Sequence, residues 1–476
     1  GGTSIFFPRN TGREALQIYL TAGVAWLLGI GLSFLSLKIG TVLCGLLTLP
    51  YMYLLGKELG GKRLALLALL FAGIAYWPNV ISRIGLRFPL YPLFVAPTLY
   101  YLLRGLKTRS RNDFIMSGIF LGLGLHGYSP IRILPIVVVV AVGLFLLHAQ
   151  SQGVRRRTIY DMVMLVVASV ILFLPLLRYW VENPQTFGYR AFSRLGSIET
   201  ALPAPAVSVF FSNLWNGLKM FNWDDGGIWV HSVTHRPALD IVSGAFFMAG
   251  ITLLLVRYIR KLNWVDLFLL VSIPLLQLPS ILSLAYPAEN PALNRAGGAI
   301  VPVFLVVALA FDGMWTGIRT RLTGKGGTLL AWGVGGLLVI WSGVHNYALV
   351  FHQFADQHDR SSWNTSEMGA VIEQFGPTYG STDQAWIIPY PHWVDTRLPG
   401  VWAGIPNRDF AVWPADLEST LDVPEPKLLI VNLQDEIGQD RLEELYPTGS
   451  WSQYNSKTGL AEKDFLIYFI PSQASP

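Results

Sequence analysis

Long apolar runs recur along residues 1–355 of the chain. A helix needs about 20 apolar residues to cross the hydrocarbon core of a bilayer. Runs near that length lie at 37–56, 63–81, 88–104, 114–129, 131–149, 159–180, 237–256, 264–285, 298–317 and 327–347, and an apolar stretch at 15–35 precedes them. Open sheet edges cannot face lipid, so these runs are expected to be helices. The pattern predicts an all-α polytopic membrane domain over residues 1–355, with about 10–11 hydrophobic helices.

The pattern changes after residue 355. The short segments QAWIIPY (384–390), KLLIVNL (427–433) and DFLIYFI (464–470) are typical of buried strands. The segments SEMGAVIEQF (366–375) and QDRLEELY (439–446) are predicted to be helical. Residues 356–476 are therefore predicted to form a small soluble α/β domain.

Charge divides the chain at the same point. Residues 1–355 carry 28 Lys and Arg against 12 Asp and Glu, whereas residues 356–476 carry 7 against 18. In the first part the basic residues collect at every second connection: GKELGGKR (56–63), RGLKTRSR (104–111), GVRRR (153–157), RYIRKL (257–262) and RTRLTGK (319–325). By the positive-inside rule these connections are predicted to be cytoplasmic.

The other connections are then predicted to be extracytoplasmic. They are 82–87, 129–131, the long loop 181–236, 286–297 and the acidic tail. We expect a multi-pass protein of the plasma (inner) membrane with an extracytoplasmic C-terminal domain. For stretch 15–35 the charge rule leaves two options, a crossing with residues 1–14 in the cytoplasm or an interfacial position with them outside.

Several function classes lack their signals in this sequence. The single cysteine, Cys44, excludes an intrachain disulfide and a Cys-based zinc site. The sequence has neither a Walker-type glycine loop nor an HExxH motif. The span centres are almost free of charge, unlike those of ion-coupled carriers. The acidic tail is the opposite of a nucleic-acid-binding arm, so we expect no nucleic acid partner.

The connections predicted to be extracytoplasmic are rich in side chains that could bind a substrate. Arginine has a planar fork of donors that suits phosphate, so several arginines in one pocket would hold a phosphate or diphosphate. The alternative is that Arg83, Arg87 and Arg132 reach lipid headgroups or pair with the acidic tail. The substrate-binding candidates are Arg83, Arg87, His126, Tyr128, Arg132, Asn294 and Arg295. The long loop also contains Tyr189, Arg190 and Arg194, which are not assigned to the site.

Asp224 and Asp225 form an acidic pair in the long loop. With His231 or His235 they could bind a divalent ion. A solvated turn before Gly226 is the favoured interpretation, because glycine supplies the backbone freedom that turns need. No metal site is predicted.

The order of several segments resembles that of bacterial GT-C membrane glycosyltransferases. The group is the one related to protein O-mannosyltransferases and lipid A aminoarabinose transferases (family 39/83-like). The segments are NTGREALQIYL, SRIGLRFPLYPLFVAPTLYYLLRGL, SGIFLGLGLHGYSPIRILP, THRPALD and NPALNRAGGAIVPVFL, and the resemblance covers roughly residues 5–320.

The resemblance implies an activity and its reactants. Members of the group move a sugar with inversion from a polyprenyl-phosphate donor to an acceptor at the outer membrane face. A protein or glycolipid acceptor, membrane lipids as partners, and no divalent metal are therefore expected. Arg83, Arg87 and Arg295 would hold the phosphate, and His126, Tyr128 and Asn294 would line the pocket. Stretch 15–35 resembles the group's juxtamembrane helices, which would place Arg9, Arg13 and Glu14 at the mouth of the site.

The general base of the group is an aspartate in the first outer loop, often followed by Glu. This chain starts at the later GRE segment, so the aspartate is expected upstream of residue 1 and the catalytic residue is unknown. The outer acids that could replace it are Glu289, Asp224, Asp225 and Glu14. Glu289, near Arg295 in sequence, is the best of these, or it only orients Arg295.

Two other functions stay open. One is a non-catalytic GT-C-like subunit of a larger complex, whose acidic C-terminal domain would bind a membrane partner through the aromatic segment IPYPHWVDTRLPGVWAG. The other is a lipid-linked-oligosaccharide ligase, which would use the same arginines without an Asp base.

Overall fold

The computed structural model describes residues 4–8, 12–196 and 198–472. The chain divides into two compact units. The helical unit contains residues 1–23 and 38–355, and the sheet unit contains residues 24–37 and 356–476.

Helices dominate the chain up to residue 361. They are α1 (Leu16–Leu28), α2 (Phe34–Ile74), α3 (Tyr76–Arg83), α4 (Leu90–Thr108), α5 (Arg111–Gly124), α6 (Leu134–Leu147), α7 (Arg155–Glu182), α8 (Pro184–Leu195), α9 (Ala206–Lys219), α10 (Ile241–Lys261), α11 (Trp264–Ile281), α12 (Ile300–Arg321), α13 (Lys325–Ala348) and α14 (Phe354–Ser361). Before α1, the short strands β1 (Phe6–Phe7) and β2 (Arg13–Glu14) form an antiparallel pair.

The prediction of a helical polytopic membrane protein is confirmed. Within the described residues, seven helical segments are long and apolar enough to cross a membrane. They are Phe34–Ile74, Ser129–Leu147, Arg155–Glu182, Ile241–Lys261, Trp264–Ile281, Gly297–Arg321 and Lys325–Ser361. The runs predicted at 88–104 and 114–129 are also helical, as α4 and α5.

The first long helix is interrupted where a basic connection was predicted. Gly60 (φ −156°) and Gly61 (φ 84°) break α2 inside GKELGGKR. A second break follows at Ala75, whose extended backbone (ψ 147°) separates α2 from α3. The predicted span 63–81 is therefore wrong as a single helix. The side-chain oxygen of Asn346 accepts a hydrogen bond from the Tyr76 amide at 2.9 Å and holds this second break.

Stretch 15–35 is not one continuous helix. Helix α1 has 13 residues, and Gly29 and Gly31 beyond it have positive φ angles of 64°. A helix of this length spans about 20 Å, whereas the hydrocarbon core is about 30 Å thick. The length of α1 therefore does not fit a membrane crossing.

The segment 181–236, predicted to be a long loop, contains helices α8 and α9. Pro184 stands at the first turn of α8, where its missing amide hydrogen costs nothing. Helix α9 is fixed to the end of α11, because Asn213 donates a hydrogen bond to the Ile281 carbonyl at 2.9 Å. Neither helix is among the described segments that could cross a membrane, so 181–236 is still a connection between spans, but the sequence did not predict the helices within it.

The sheet unit is a small α/β structure, as predicted. Its sheet has the order β3–β4–β6–β5, with β3 parallel to β4 and the other pairs antiparallel. The strands are β3 (Ala385–Ile387), β4 (Lys427–Val431), β5 (Ser450–Tyr454) and β6 (Phe465–Ile470), and the helices are α15 (Thr365–Thr378), α16 (Leu398–Trp402) and α17 (Glu436–Leu445). Strand β5 was not predicted, because its SWSQY sequence is polar and it lies at the sheet edge.

Helices α5 and α7 pack closely through glycine, which gives a test of the fold. A Cβ atom added at Gly118 would lie 2.2 Å from the Leu165 carbonyl oxygen. We expect Gly118→Ala to lower the free energy of unfolding by about 1–3 kcal/mol, as overpacking does. Gly143→Ala is the control, since nothing lies within 4 Å of its added Cβ. Melting temperatures in detergent would check this, and equal stability of the two variants would contradict the tight α5–α7 contact.

Candidate functional site

A cavity of about 390 Å³ lies in the helical unit, where several connections meet. Strand β2, the α3–α4 connection, residues 129–133, helix α8, the end of α11 and residues 294–295 all contribute to its wall. The polar and charged lining residues are Arg13, Gln17, Arg87, Tyr128, Ser129, Arg132, Arg190, Arg194, Asn294 and Arg295. Apolar side chains complete the wall: Leu86, Phe88, Pro130, Ile133, Ala191, Leu195, Pro279 and Leu282.

Glu14 organises one side of this cavity. Its side chain is 1% exposed and accepts hydrogen bonds from Arg87 Nη1 at 2.8 Å and Arg132 Nη2 at 2.9 Å. The Ser129 hydroxyl donates to the same carboxylate at 2.9 Å. Glu14 is thus a buried counter-ion that fixes the position of two guanidinium groups from different parts of the chain.

Glu289 performs a similar role on the other side. Its Oε2 atom lies 2.6 Å from Arg194 Nη1 and also pairs with Arg295 Nη2. Arg295 Nη1 donates to the Ser283 hydroxyl at 2.8 Å, which fixes the second edge of the guanidinium. The nearby arginines hold the pKa of Glu289 below its usual value, although burial alone would raise it. Glu289 thus contacts Arg295, as the alternative role of orienting Arg295 requires, and the carboxylate pairs with two arginines.

Arg13 and Arg190 have no such carboxylate partner among the described residues. Arg13 Nε and Arg190 Nη1 are buried and have no hydrogen-bond partner among the described residues. Burial, and then the Coulombic effect of Arg87, lower the pKa of Arg190; burial, and then Arg190, lower that of Arg13. Buried donors without a partner are costly. An anion in the cavity would offer these groups an acceptor and a counter-charge.

The cavity has a large excess of positive charge. In the described part of the chain, six lining arginines are opposed by the two adjoining carboxylates of Glu14 and Glu289. Each carboxylate contacts two arginines but neutralises the charge of one. Tyr128 and Asn294 add neutral polar groups, because Asn294 Nδ2 donates to the Tyr128 hydroxyl at 3.1 Å. The chemistry of this wall suits an anion with several oxygen acceptors.

Arg83 and His126 lie outside this group. Arg83 stacks over the Phe351 ring at 4.1 Å and donates to the Val350 carbonyl at 3.4 Å. His126 contacts the Leu172 carbonyl at 2.9 Å through Nε2. The structure therefore brings together Arg87, Tyr128, Arg132, Asn294 and Arg295 but not these two candidates. Arg9, which was predicted to lie at the mouth of the site, is outside the described residues.

The prediction of a solvated turn at Asp224 and Asp225 is wrong for Asp225, which is buried, whereas Asp224 is half exposed. Asp224 accepts a hydrogen bond from the Gly226 amide at 2.9 Å. Asp225 is 1% exposed and is 3.4 Å from the Tyr76 hydroxyl. Burial is the main reason that the pKa of Asp225 rises to about 8. Within the described residues, no cluster of three or more His, Cys, Asp or Glu side chains could hold a metal ion.

Two cavity residues, Arg190 and Arg194, were noticed in the sequence but were not among the binding candidates. Both belong to α8 and are four positions apart (i and i+4), which places them on the same face of the helix. The signal that could have found them is this spacing within PQTFGYRAFSRL. It was missed because the segment was taken to be a loop.

The Glu14 cluster predicts a large stability effect. Glu14→Gln removes the counter-charge of Arg87, which is 7% exposed. Breaking a buried ion pair from one side typically costs about 3–5 kcal/mol, so we expect a clear fall in the melting temperature. Glu182→Gln is the control, because Glu182 pairs with Arg178 at an exposed site. A Glu14→Gln protein as stable as this control would contradict the role of Glu14 as a buried counter-ion.

Because Asp225 is buried, we expect the stability of the protein to fall as pH rises. An unfolded aspartate has a pKa of about 4, and the pKa of Asp225 in the folded protein is about 8. The folded protein therefore keeps a proton that the unfolded chain loses over this interval, so this group contributes less stability as pH rises from 4 to 8. We expect Asp225→Asn, neutral throughout, to be less sensitive to pH in thermal melts. Glu182→Gln, at an exposed site paired with Arg178, should keep the wild-type slope, and equal slopes for all three proteins would contradict the prediction.

Comparisons with known proteins agree with this architecture. The family model described as dolichyl-phosphate-mannose-protein mannosyltransferase matches residues 16–180, from α1 into α7. No curated protein sequence matched the chain.

Solved structures extend the likeness to nearly the whole chain. ArnT from Cupriavidus metallidurans in the apo state is 14% identical with a TM-score of 0.53, over 95% of this chain and 86% of that one. The archaeal oligosaccharyltransferase AglB from Archaeoglobus fulgidus, in complex with an inhibitory peptide and a dolichol-phosphate, is 14% identical with a TM-score of 0.51. That match covers 99% of this chain and 68% of that one. At such identities the structural likeness shows the fold, which is the GT-C fold in both proteins. The chain therefore has the GT-C fold, and the family model over residues 16–180 supports the resemblance to GT-C glycosyltransferases that the sequence motifs indicate.

Proposed function

We propose that this protein is a glycosyltransferase that takes a sugar from a polyprenyl-phosphate donor at the extracytoplasmic face of the membrane. The observation that carries the proposal is the arginine-rich cavity. Arg13 and Arg190 retain buried donors without partners among the described residues, and the phosphate of the donor would supply the missing acceptors. The dolichyl-phosphate named in the matching family's description supports a donor of the same chemical class.

The position of the cavity supports transfer at the extracytoplasmic face. Arg87 precedes the first residue of α4, and the basic connection 104–111 follows its other end. The 19 residues of α4 span about 28 Å, close to the thickness of the hydrocarbon core. If the basic connections are cytoplasmic, the arginine cavity opens at the other side.

The cavity wall also suits a lipid phosphate. Leu86 and Phe88 flank Arg87, and Ile133 follows Arg132, so guanidinium groups alternate with apolar side chains along the lining. The phosphate would bind the arginines while the first prenyl units would contact the apolar wall. A lipid phosphate needs both kinds of surface at one junction.

The arginines can promote the transfer by stabilising the leaving group. The acceptor hydroxyl oxygen forms a bond to the anomeric carbon, and the bond between that carbon and the phosphate oxygen breaks. The electron pair leaves with the phosphate, which gains one negative charge. Preorganised cations are most effective where such charge develops. The hydroxyl proton passes to a base that we do not assign, because arginines hold both Glu14 and Glu289.

A lipid-linked-oligosaccharide ligase is the second candidate. The observation that favours it is the occupation of both cavity carboxylates by arginines, since a ligase would not need an Asp base. It would use a lipid diphosphate donor and transfer a preassembled glycan. A purified protein that uses polyprenyl-diphosphate glycans and leaves monophosphate donors unchanged would favour this second function.

Arg190 gives a direct test of the proposed function. Removing one preorganised donor from an oxyanion site typically costs about 10²–10³ in kcat, so Arg190→Gln should lower transfer from a polyprenyl-phosphate sugar by that factor. Arg178→Gln is the matched control, because Arg178 is 81% exposed and pairs only at the surface. Reconstituted full-length protein and a radiolabelled donor would measure both rates. Wild-type activity in Arg190→Gln, with folding verified by its melting temperature, would refute the donor site.

A further inference from the structure

A second cavity of about 430 Å³ lies at the other end of the same helices. Its lining includes residues from the break in α2, the end of α4, the α6–α7 connection and the α10–α11 connection. These places coincide with basic connections of the sequence. Leu269 of α11 lines this cavity, whereas Pro279 and Leu282 at the other end of α11 line the arginine cavity.

The two cavities are separate sites. Along α4, Arg87 before the helix lines the first cavity and Lys107 in its last turn lines the second. The helix between them spans about 28 Å. One lipid headgroup cannot occupy both cavities, so any occupant of the second cavity would be a separate molecule.

The wall of the second cavity is mainly apolar. Leu103 and Leu106 of α4, Leu269 of α11 and Phe145 of α6 are buried side chains of this lining. Trp264, 5% exposed, packs against Phe145 with their ring centroids 5.3 Å apart. Charged and polar side chains also line the cavity, among them Glu58, Arg109 and Asp266. The wall thus joins charged groups to an apolar surface that an acyl chain could contact.

The mouth of the cavity carries an uncompensated cation. Glu58 pairs with Lys107 at 3.3 Å, and Asp266 pairs with Arg257 at 2.9 Å. Among the described residues no ion pair engages Arg109, which is exposed and lines the cavity. The Arg109 carbonyl accepts a hydrogen bond from Arg157 at 2.7 Å, which brings a further cation close to it.

We propose that this cavity binds one anionic glycerophospholipid of the leaflet that adjoins the basic connections. The phosphate would bind Arg109, with Lys107 beside it, and an acyl chain would lie along Leu103, Leu106 and Leu269. Basic pockets between transmembrane helices on the cytoplasmic side attract anionic headgroups. The site is independent of the donor cavity and of the reaction proposed there.

Lipid binding to the full chain in detergent tests this proposal. Native mass spectrometry with phosphatidylglycerol should show one tightly retained lipid per chain, and phosphatidylcholine, whose head has no net charge, should be retained less. Arg109→Gln should weaken phosphatidylglycerol binding about fivefold, the effect of one basic residue near an anionic surface. Arg111→Gln is the matched control, because Arg111 is also exposed and lies in the same connection outside the cavity lining.

Other outcomes would overturn the proposal. Equal retention of the two lipids would show that the cavity does not require an anionic headgroup. Equal binding by Arg109→Gln and Arg111→Gln would show that Arg109 does not bind the phosphate. Protection of the melting temperature by inorganic phosphate to the same extent as by lipid would show a site for free phosphate. Leu269→Phe, which fills the apolar wall, should reduce lipid retention while sugar transfer continues. Full lipid retention in a folded Leu269→Phe protein would place the lipid elsewhere.

Discussion

The buried carboxylate of Glu14 is the interaction on which the arrangement of the arginine cavity depends. It joins strand β2 to the α3–α4 connection through Arg87 and to residues 129–133 through Arg132 and Ser129. These segments are far apart in sequence, and two of them bring like charges to one place. Without a shared acceptor, the guanidinium groups would repel each other in a poorly solvated wall. A single buried acid therefore decides where two cations lie and how far apart they remain.

The distribution of charge along the helices sets where ligands can bind. Arginines are expected on the side of a membrane protein that carries the basic connections, yet the first cavity collects them at the opposite ends of α4 and α11. Their burial and the partial compensation by Glu14 and Glu289 distinguish them from side chains that extend to lipid headgroups. At the basic ends, most charges of the second cavity are paired with each other, and apolar side chains supply just over half of the lining. The two ends of the bundle thus offer different chemistry to lipids.

The sequence predicted the helical fold because long apolar runs are a strong local signal. Several of the predicted candidates line one cavity, because the connections that carry them meet at the same ends of the helices. Arg87, Tyr128, Arg132, Asn294 and Arg295 are brought together for that reason. The failures have tertiary causes. The break at Ala75 depends on Asn346, which is distant in sequence. Arg83 belongs to α3, and its guanidinium stacks on Phe351, a partner that no local pattern could indicate. Helix α8 was missed because its apolar face is short, and its arginines were missed with it.

Bridging carboxylates explain how this cavity can be both rigid and strongly cationic. Each one forms ion pairs with two arginines, so its position orients two guanidinium groups, while its single charge cancels only one of them. Full pairing would give the same rigidity but no attraction for an anion. Complete absence of acids would give the attraction, but the side chains would need to be ordered when the ligand binds, at a cost in conformational entropy. The ratio of arginines to acids is therefore the property that suits the wall to an anion, and a bound anion would supply acceptors to the unpartnered donors of Arg13 and Arg190.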